Sequence, residues 1–182
     1  MQITFADPAV LSTAATVARI VDQDALPADL EAVLVEGARA SRFSGKAGQT
    51  FEGFVTRGER VVRVALAGAG ERGAADRTAN LEKAGAALVA RYLRLGEATL
   101  TLDLTGTSLS GADVAAVLLG ARLRGWSHDR YRTRLPEDQK AALGGLSVCG
   151  APDGTEAAWA IEAALAEGVE FTRELVTEPA NI

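Results

Sequence analysis

The stretch from Val61 to Leu104 limits the fold more than any other part of the chain. It opens with Val61-Val62-Arg63-Val64-Ala65-Leu66-Ala67, an apolar run too short for a helix and rich in β-branched residues. Such a run reads as a strand buried on most of both faces. Gly68-Ala69-Gly70 then turns the chain. Leu81, Ala84, Gly85, Leu88, Tyr92 and Leu95 follow at helical spacing. Asp76 stands where an N-cap would accept from free backbone amides, and Gly96 where a left-handed C′ residue would close the helix. Thr99 to Leu104 alternates polar and apolar, the pattern of a half-buried strand. Strand, glycine turn, helix and strand make a βαβ unit with an expected right-handed crossover. The fold class is α/β.

The remaining segments add to this unit. Residues 2–6, with Ile3 and Phe5 on one face, predict a first strand, and Ala15 to Val21 is a second apolar run ended by Asp22-Gln23-Asp24. Pro27 stands where a helix can begin, with Leu30, Val33, Leu34 and Ala38 as its buried face. Ser41 to Gly48 reads as a mobile loop. Thr50–Thr56 and Arg60–Ala67 flank Arg57-Gly58-Glu59 as a hairpin. Ser110 with Asp113 resembles a capping box ahead of the stripe Val114, Val117, Leu118 and Ala121. Arg122 to Arg134 reads as an irregular basic loop, and Leu146 to Cys149 as a last strand. Thr155 to about Val176 is a helix ~33 Å long, with Ala158, Ile161, Leu165, Val169, Thr172 and Val176 as its stripe, stopped at Pro179. The sum is a mixed sheet of about six strands flanked by helices.

The 182 residues are the length of one domain with a real core. Hydrophobic residues make up 48% and charged residues 24%, the balance of a globular protein rather than a disordered one. A net charge of −5 argues against a general polyanion binder. One cysteine, Cys149, excludes an internal disulfide and fits a reducing compartment. With one histidine, His128, a zinc site of Cys/His type is not available. The N-terminus lacks the pattern of a signal peptide, and no apolar stretch has spanning length, so a cytoplasmic location without membrane contact is expected.

Three places invite a chemical reading. Gly68, Gly70 and Gly73 have the spacing of a phosphate-binding turn ahead of a helix, but Glu71 and Asp76 would repel a phosphate, which favours a plain tight turn. Gly45-Lys46 lacks both the upstream glycine and the following hydroxyl of a phosphate loop. The third place carries Arg122, Arg124, Trp126, Arg130, Tyr131, Arg132 and Arg134, a mixture used for nucleic-acid contact and also for protein interfaces. Asp129, Glu137 and Asp138 dilute it, which favours the interface. No nucleophile, base and orienter can be assembled, so no catalytic, metal or cofactor-binding residue is assigned.

At the C-terminus Arg173-Glu174-Leu175-Val176-Thr177-Glu178-Pro179-Ala180-Asn181 resembles the Arg-acidic-Leu-x-x-x-Pro-x-Asn segment that opens the catalytic domain of the leucyl (cytosol) aminopeptidase family. Phe43-Ser44-Gly45-Lys46-Ala47-Gly48 is similar to the family's Phe-x-Gly-Lys-x-Gly loop. Gly120 to Arg134 resembles its Gly-Ala-x-Leu-x-x-Tyr-x-Phe-Asp-x-Tyr-Lys-Thr-Lys segment, with His128 at the Phe position and Arg132 and Arg134 for the lysines. The Gly68-Ala69-Gly70 turn parallels another.

The resemblance implies a macro-domain-like three-layer sandwich over residues 1–152. Residues 153–182 would then be a connector helix and the first residues of a catalytic domain. That domain would hold two divalent metals, zinc or manganese, and remove N-terminal residues from peptides. The resemblance also implies a hexamer to which this part contributes assembly and substrate access. The rival readings are an ADP-ribose or nucleotide-binding module and DNA binding through Arg122 to Arg134. If the last helix is a connector, Trp159, Ile161 and Leu165 should pack on the domain, while Val169, Phe171, Leu175 and Val176 should lack partners.

Overall fold

In the computed structural model, which describes residues 1–128, 134, 136 and 139–178, the strands are β1 (Gln2–Ala6), β2 (Thr16–Val21), β3 (Thr50–Arg57), β4 (Arg60–Gly68), β5 (Thr99–Asp103) and β6 (Gly145–Cys149). They form one sheet in the order β1-β6-β5-β2-β4-β3. Every pairing is parallel except the β3–β4 hairpin. The helices are α1 (Ala32–Ala40), α2 (Arg77–Tyr92), α3 (Gly111–Gly125) and α4 (Thr155–Thr177). This is the expected mixed sheet of six strands flanked by helices.

The two-residue period of the strands divides the core in two. Val17 and Val21 of β2 and Val62, Val64 and Leu66 of β4 meet α1 and Phe43 on one side of the sheet. Ala18, Ala65 and Ala67 face the other way, under α2 and α3. Small alanines on that side let the helices lie close. The helices are themselves close: a Cβ on Gly85 would sit 1.9 Å from the Val117 carbonyl oxygen, and one on Gly120 would sit 2.0 Å from that of Glu82.

The β4-α2-β5 unit is present, but β2 lies between its two strands, with Ala18 paired to Ala65 on one side and Leu102 on the other. β5 is interior, with β2 on one side and β6 on the other, and Thr101 is buried along with its leucine neighbours. The alternation that reads as a half-buried strand belongs to one covered on both faces. Two helix boundaries also differ from expectation. Residues 27–30 form a turn, Leu30 N–H donating to the Pro27 carbonyl, and α1 begins at Ala32. Val33 is 63% exposed, because a helix of nine residues turns only Leu34 and Ala38 onto the sheet. α2 ends at Tyr92, so Leu95 is exposed and Gly96, at φ +88°, shapes the turn into β5 instead of capping the helix. Asp76 precedes α2, yet its carboxylate accepts from Asn80 Nδ2 (2.8 Å) and from no backbone amide. The capping box at Ser110 and Asp113 forms with both reciprocal bonds.

The loop from Ser41 to Gly48 is tethered, where a mobile loop was expected. The Gln49 side chain accepts from Ser44 N–H at 2.9 Å and donates to the Arg42 carbonyl at 3.0 Å. Gly45 and Ser44 carbonyls accept from Gly70 and Asp24 amides, and Gly48 N–H donates to Gly68.

Candidate functional site

The Gly68–Gly70 turn has no amides to offer a phosphate. Gly68 N–H donates to Gln49, Ala69 N–H to Val21 and Gly70 N–H to Gly45, all at 2.8–2.9 Å. Glycine is needed at 68 because the 45–48 loop crosses over it: a Cβ there would lie 2.2 Å from the Lys46 carbonyl oxygen. Gly73 faces open space. The phosphate reading of Gly68, Gly70 and Gly73 is therefore replaced by a crossing of two backbone segments. The nearby cations are also engaged. Arg77 reaches Asp22 at 2.6 Å and the Ala69 carbonyl at 3.0 Å, and Arg72 reaches Asp22 at 2.9 Å.

Beside this junction a crevice of about 390 Å³ opens at the carboxyl ends of β2 and β5. Arg19, projecting from β2, forms its charged wall: Nη1 lies 2.8 Å from Asp29 and Nε 3.7 Å from Asp103. The hydrogen bond from Arg19 holds the Asp29 carboxyl below the usual carboxylate range. Arg72 spans the rim, its Nη2 donating to Ser108 Oγ at 2.6 Å. In the sequence Asp22 is part of a turn and, with Asp24, of a carboxylate pair on a solvated loop, and no pattern singles out Arg19 or Asp29. Arg19 and Asp29 pair across only ten residues, but the wall from Thr105 to Leu109 faces them because β5 lies beside β2, which no local pattern announces.

The basic segment divides into parts with different roles. α3 runs to Gly125, so Arg122 and Arg124 lie in its last turns and not in a loop. Arg122 faces α4: its Nε and Nη2 donate to the two carboxylate oxygens of Glu170 at 3.1 and 2.8 Å. That fork raises the Arg122 pKa further and removes its guanidinium from any polyanion surface. Trp126 is half-buried, with the Arg173 guanidinium 5.6 Å from its ring centre and His128 stacked at 6.2 Å. Arg173 also donates to the Leu123 carbonyl at 2.8 Å. Arg124 and Arg134 are exposed, while Arg130, Tyr131 and Arg132 lie outside the described residues.

α4 consequently has two unlike faces. Thr155, Trp159 and Ala166 are buried against the domain, and Glu170 and Arg173 continue that row toward α3. Ile161 and Leu165 are exposed, contrary to the expected packing face, because a row through 159, 166 and 173 leaves 161 and 165 on another side of the helix. Phe171, Leu175 and Val176 are exposed as expected, from 61% to 82%, and Val169 is half-buried. Among the described residues no group of three or more His, Cys, Asp or Glu side chains could hold a metal ion. No helix among them is long and apolar enough to cross a membrane. Cys149 is buried, and desolvation pushes its thiol pKa up.

Comparison with known proteins places this architecture. The family model for the cytosol aminopeptidase family, N-terminal domain, matches residues 3–135. A probable cytosol aminopeptidase of Chelativorans sp. (strain BNC1) is 35% identical over 162 residues, covering 88% of this chain and 32% of that protein. One from Brucella melitensis biotype 1 is 36% identical over 155 residues, covering 82% and 31%. The chain thus spans about a third of the length of the curated relatives it matches. Among solved structures, the bottromycin maturation enzyme BotP in complex with Mn aligns with a TM-score of 0.68 at 28% identity, over 92% of this chain and 32% of that one. A tomato leucine aminopeptidase mutant aligns at 0.73 with 20% identity, over 100% and 39%, a likeness of fold. With the family match extending over most of the chain, the chain belongs to the cytosol aminopeptidase family and carries its N-terminal domain.

Proposed function

We propose that the chain is the non-catalytic N-terminal part of an aminopeptidase that removes N-terminal residues from peptides, and that α4 carries it toward the catalytic part. The catalytic part would hold two divalent metals, zinc or manganese, in a cytoplasmic hexamer whose assembly and substrate access this macro-domain-like part assists. The observation that carries the proposal is the outward face of α4. Ile161, Leu165, Phe171, Leu175 and Val176 are exposed on a helix whose other face is clamped to the domain. Each such side chain forgoes about 1.5–3 kcal/mol of burial in water, and a continuous apolar patch marks a surface meant to be covered.

Two measurements test it. The purified 182-residue chain is expected to show no hydrolysis of Leu-p-nitroanilide with zinc or manganese. Turnover above buffer that a chelator abolishes would overturn the proposal. Leu165→Ser with Phe171→Ser should leave the stability of this chain within about 0.5 kcal/mol per site. In a protein of the relatives' length the same pair should lower both melting temperature and peptide hydrolysis. Equal destabilisation in both settings would show that the domain itself covers this face.

A further inference from the structure

We propose that the crevice at the carboxyl ends of β2 and β5 binds a free α-amino acid as its zwitterion. The chain leaves β2 toward the β3–β4 hairpin on one side and leaves β5 toward β6 on the other. The two connections part there, and open α/β sheets bind ligands in the crevice this leaves. Its volume of about 390 Å³ is at the small end of the ~300–1,000 Å³ range of ligand pockets. The lining selects by charge. Arg19 and Arg72 face Asp22 and Asp29, with Asp103 close behind Arg19. A phosphate ester would meet these carboxylates with no free amide from the Gly68–Gly70 turn to offset them. A wholly apolar molecule would strip water from both guanidinium groups. A ligand carrying one carboxylate and one ammonium satisfies both signs.

The geometry also supplies a way in. Arg19 is held in place, its side chain 14% exposed, whereas Asp29 at 2.8 Å from Nη1 is 71% exposed. An ion pair with one partner in solvent contributes little and exchanges readily. The incoming carboxylate takes the Asp29 place on Arg19, and the released Asp29 receives the ammonium. The ligand's side chain rests against Ala25, Pro27 and Ala28. A free amino acid is also what the reaction proposed above releases. A product-sensing role rests on that reading, but the binding does not.

The test is a titration of the isotope-labelled 182-residue chain, followed by amide chemical shifts, with L-leucine, N-acetyl-L-leucine, L-leucinamide and ADP-ribose. Saturable shifts confined to residues 19–29 and 104–109 are expected with L-leucine. Removing either ligand charge should weaken binding about tenfold or more. Arg19→Gln should do the same. Asp29→Asn, at a position 71% exposed, should also weaken leucine about tenfold while leaving the spectrum otherwise unchanged. The proposal is overturned if millimolar leucine leaves these amides unmoved, if the blocked analogues bind equally well, or if ADP-ribose saturates the crevice in its place.

Discussion

Gly85→Ala is expected to destabilise the protein by about 2 kcal/mol or more, although alanine is the better helix former. The helix preference favours alanine by about 1 kcal/mol. Against it, the new Cβ would lie 1.9 Å from the Val117 carbonyl oxygen and 3.1 Å from the Ala121 nitrogen, both backbone atoms of α3. No side-chain rotation relieves that contact, so α2 and α3 must separate and loosen the core beneath them. Overpacking of this kind costs about 1–3 kcal/mol and at times more. For a chain of this size the loss corresponds to about 4–8 °C in Tm. Gly120→Ala should behave alike, since its Cβ would meet the Glu82 carbonyl at 2.0 Å. Gly168→Ala on α4 meets nothing within 4 Å and should be neutral or stabilising by up to about 1 kcal/mol. Thermal melts of the three variants decide it. A Gly85→Ala melt at or above the parent would show that the two helices are not in backbone contact.

The second large effect is expected from Arg122→Met. Methionine keeps much of the apolar stem but loses both bonds to Glu170 and leaves that carboxylate, 21% exposed, without its partner. Charge-assisted hydrogen bonds contribute about 1.5–3 kcal/mol each, and partial exposure lowers the sum, so a loss of about 2 kcal/mol is expected. It should fall on α4 more than on the sheet. Hydrogen exchange should accelerate over residues 163–177 while β2, β4 and β5 keep their protection. Arg122→Lys should restore little, because an ammonium cannot reproduce the two-pronged contact. Arg173, bonded to the Leu123 carbonyl, is the second clamp, and the double variant should lose more than the two singles combined if the clamps share α4. Unchanged exchange over 163–177 in Arg122→Met would show that apolar contacts at Trp159 and Ala166 hold the helix unaided.

Local chemistry determined much of this fold. The apolar run from Val61, the helical spacing from Leu81 and the Ser110–Asp113 box each depend on residues a few positions apart, so strands, helices and their approximate order could be read directly. The family segments were likewise contiguous, and the resemblance they carried holds. Helix ends were less legible: the Asp76 carboxylate chose the Asn80 side chain over a backbone amide, and propensity alone does not decide between such partners.

Tertiary structure decided what lies between distant segments. Whether Thr101 is half-exposed or buried depends on what covers the second face of the sheet at β5, which period-two patterning does not encode. The glycine at 68 suggests a phosphate turn until the 45–48 loop is seen to cross it and take its neighbours' amides. Arg122 reads as part of a basic surface until α4 brings Glu170 to it from 48 residues away. Arg19 and Asp29 form a charged crevice only because β5 delivers the opposite wall. In α4 the periodicity showed an apolar stripe but not which side the domain would take. Trp159 and Ala166 pack against α3 and leave Ile161 and Leu165 in solvent, because one helix can present two apolar faces and only its neighbours determine which is covered.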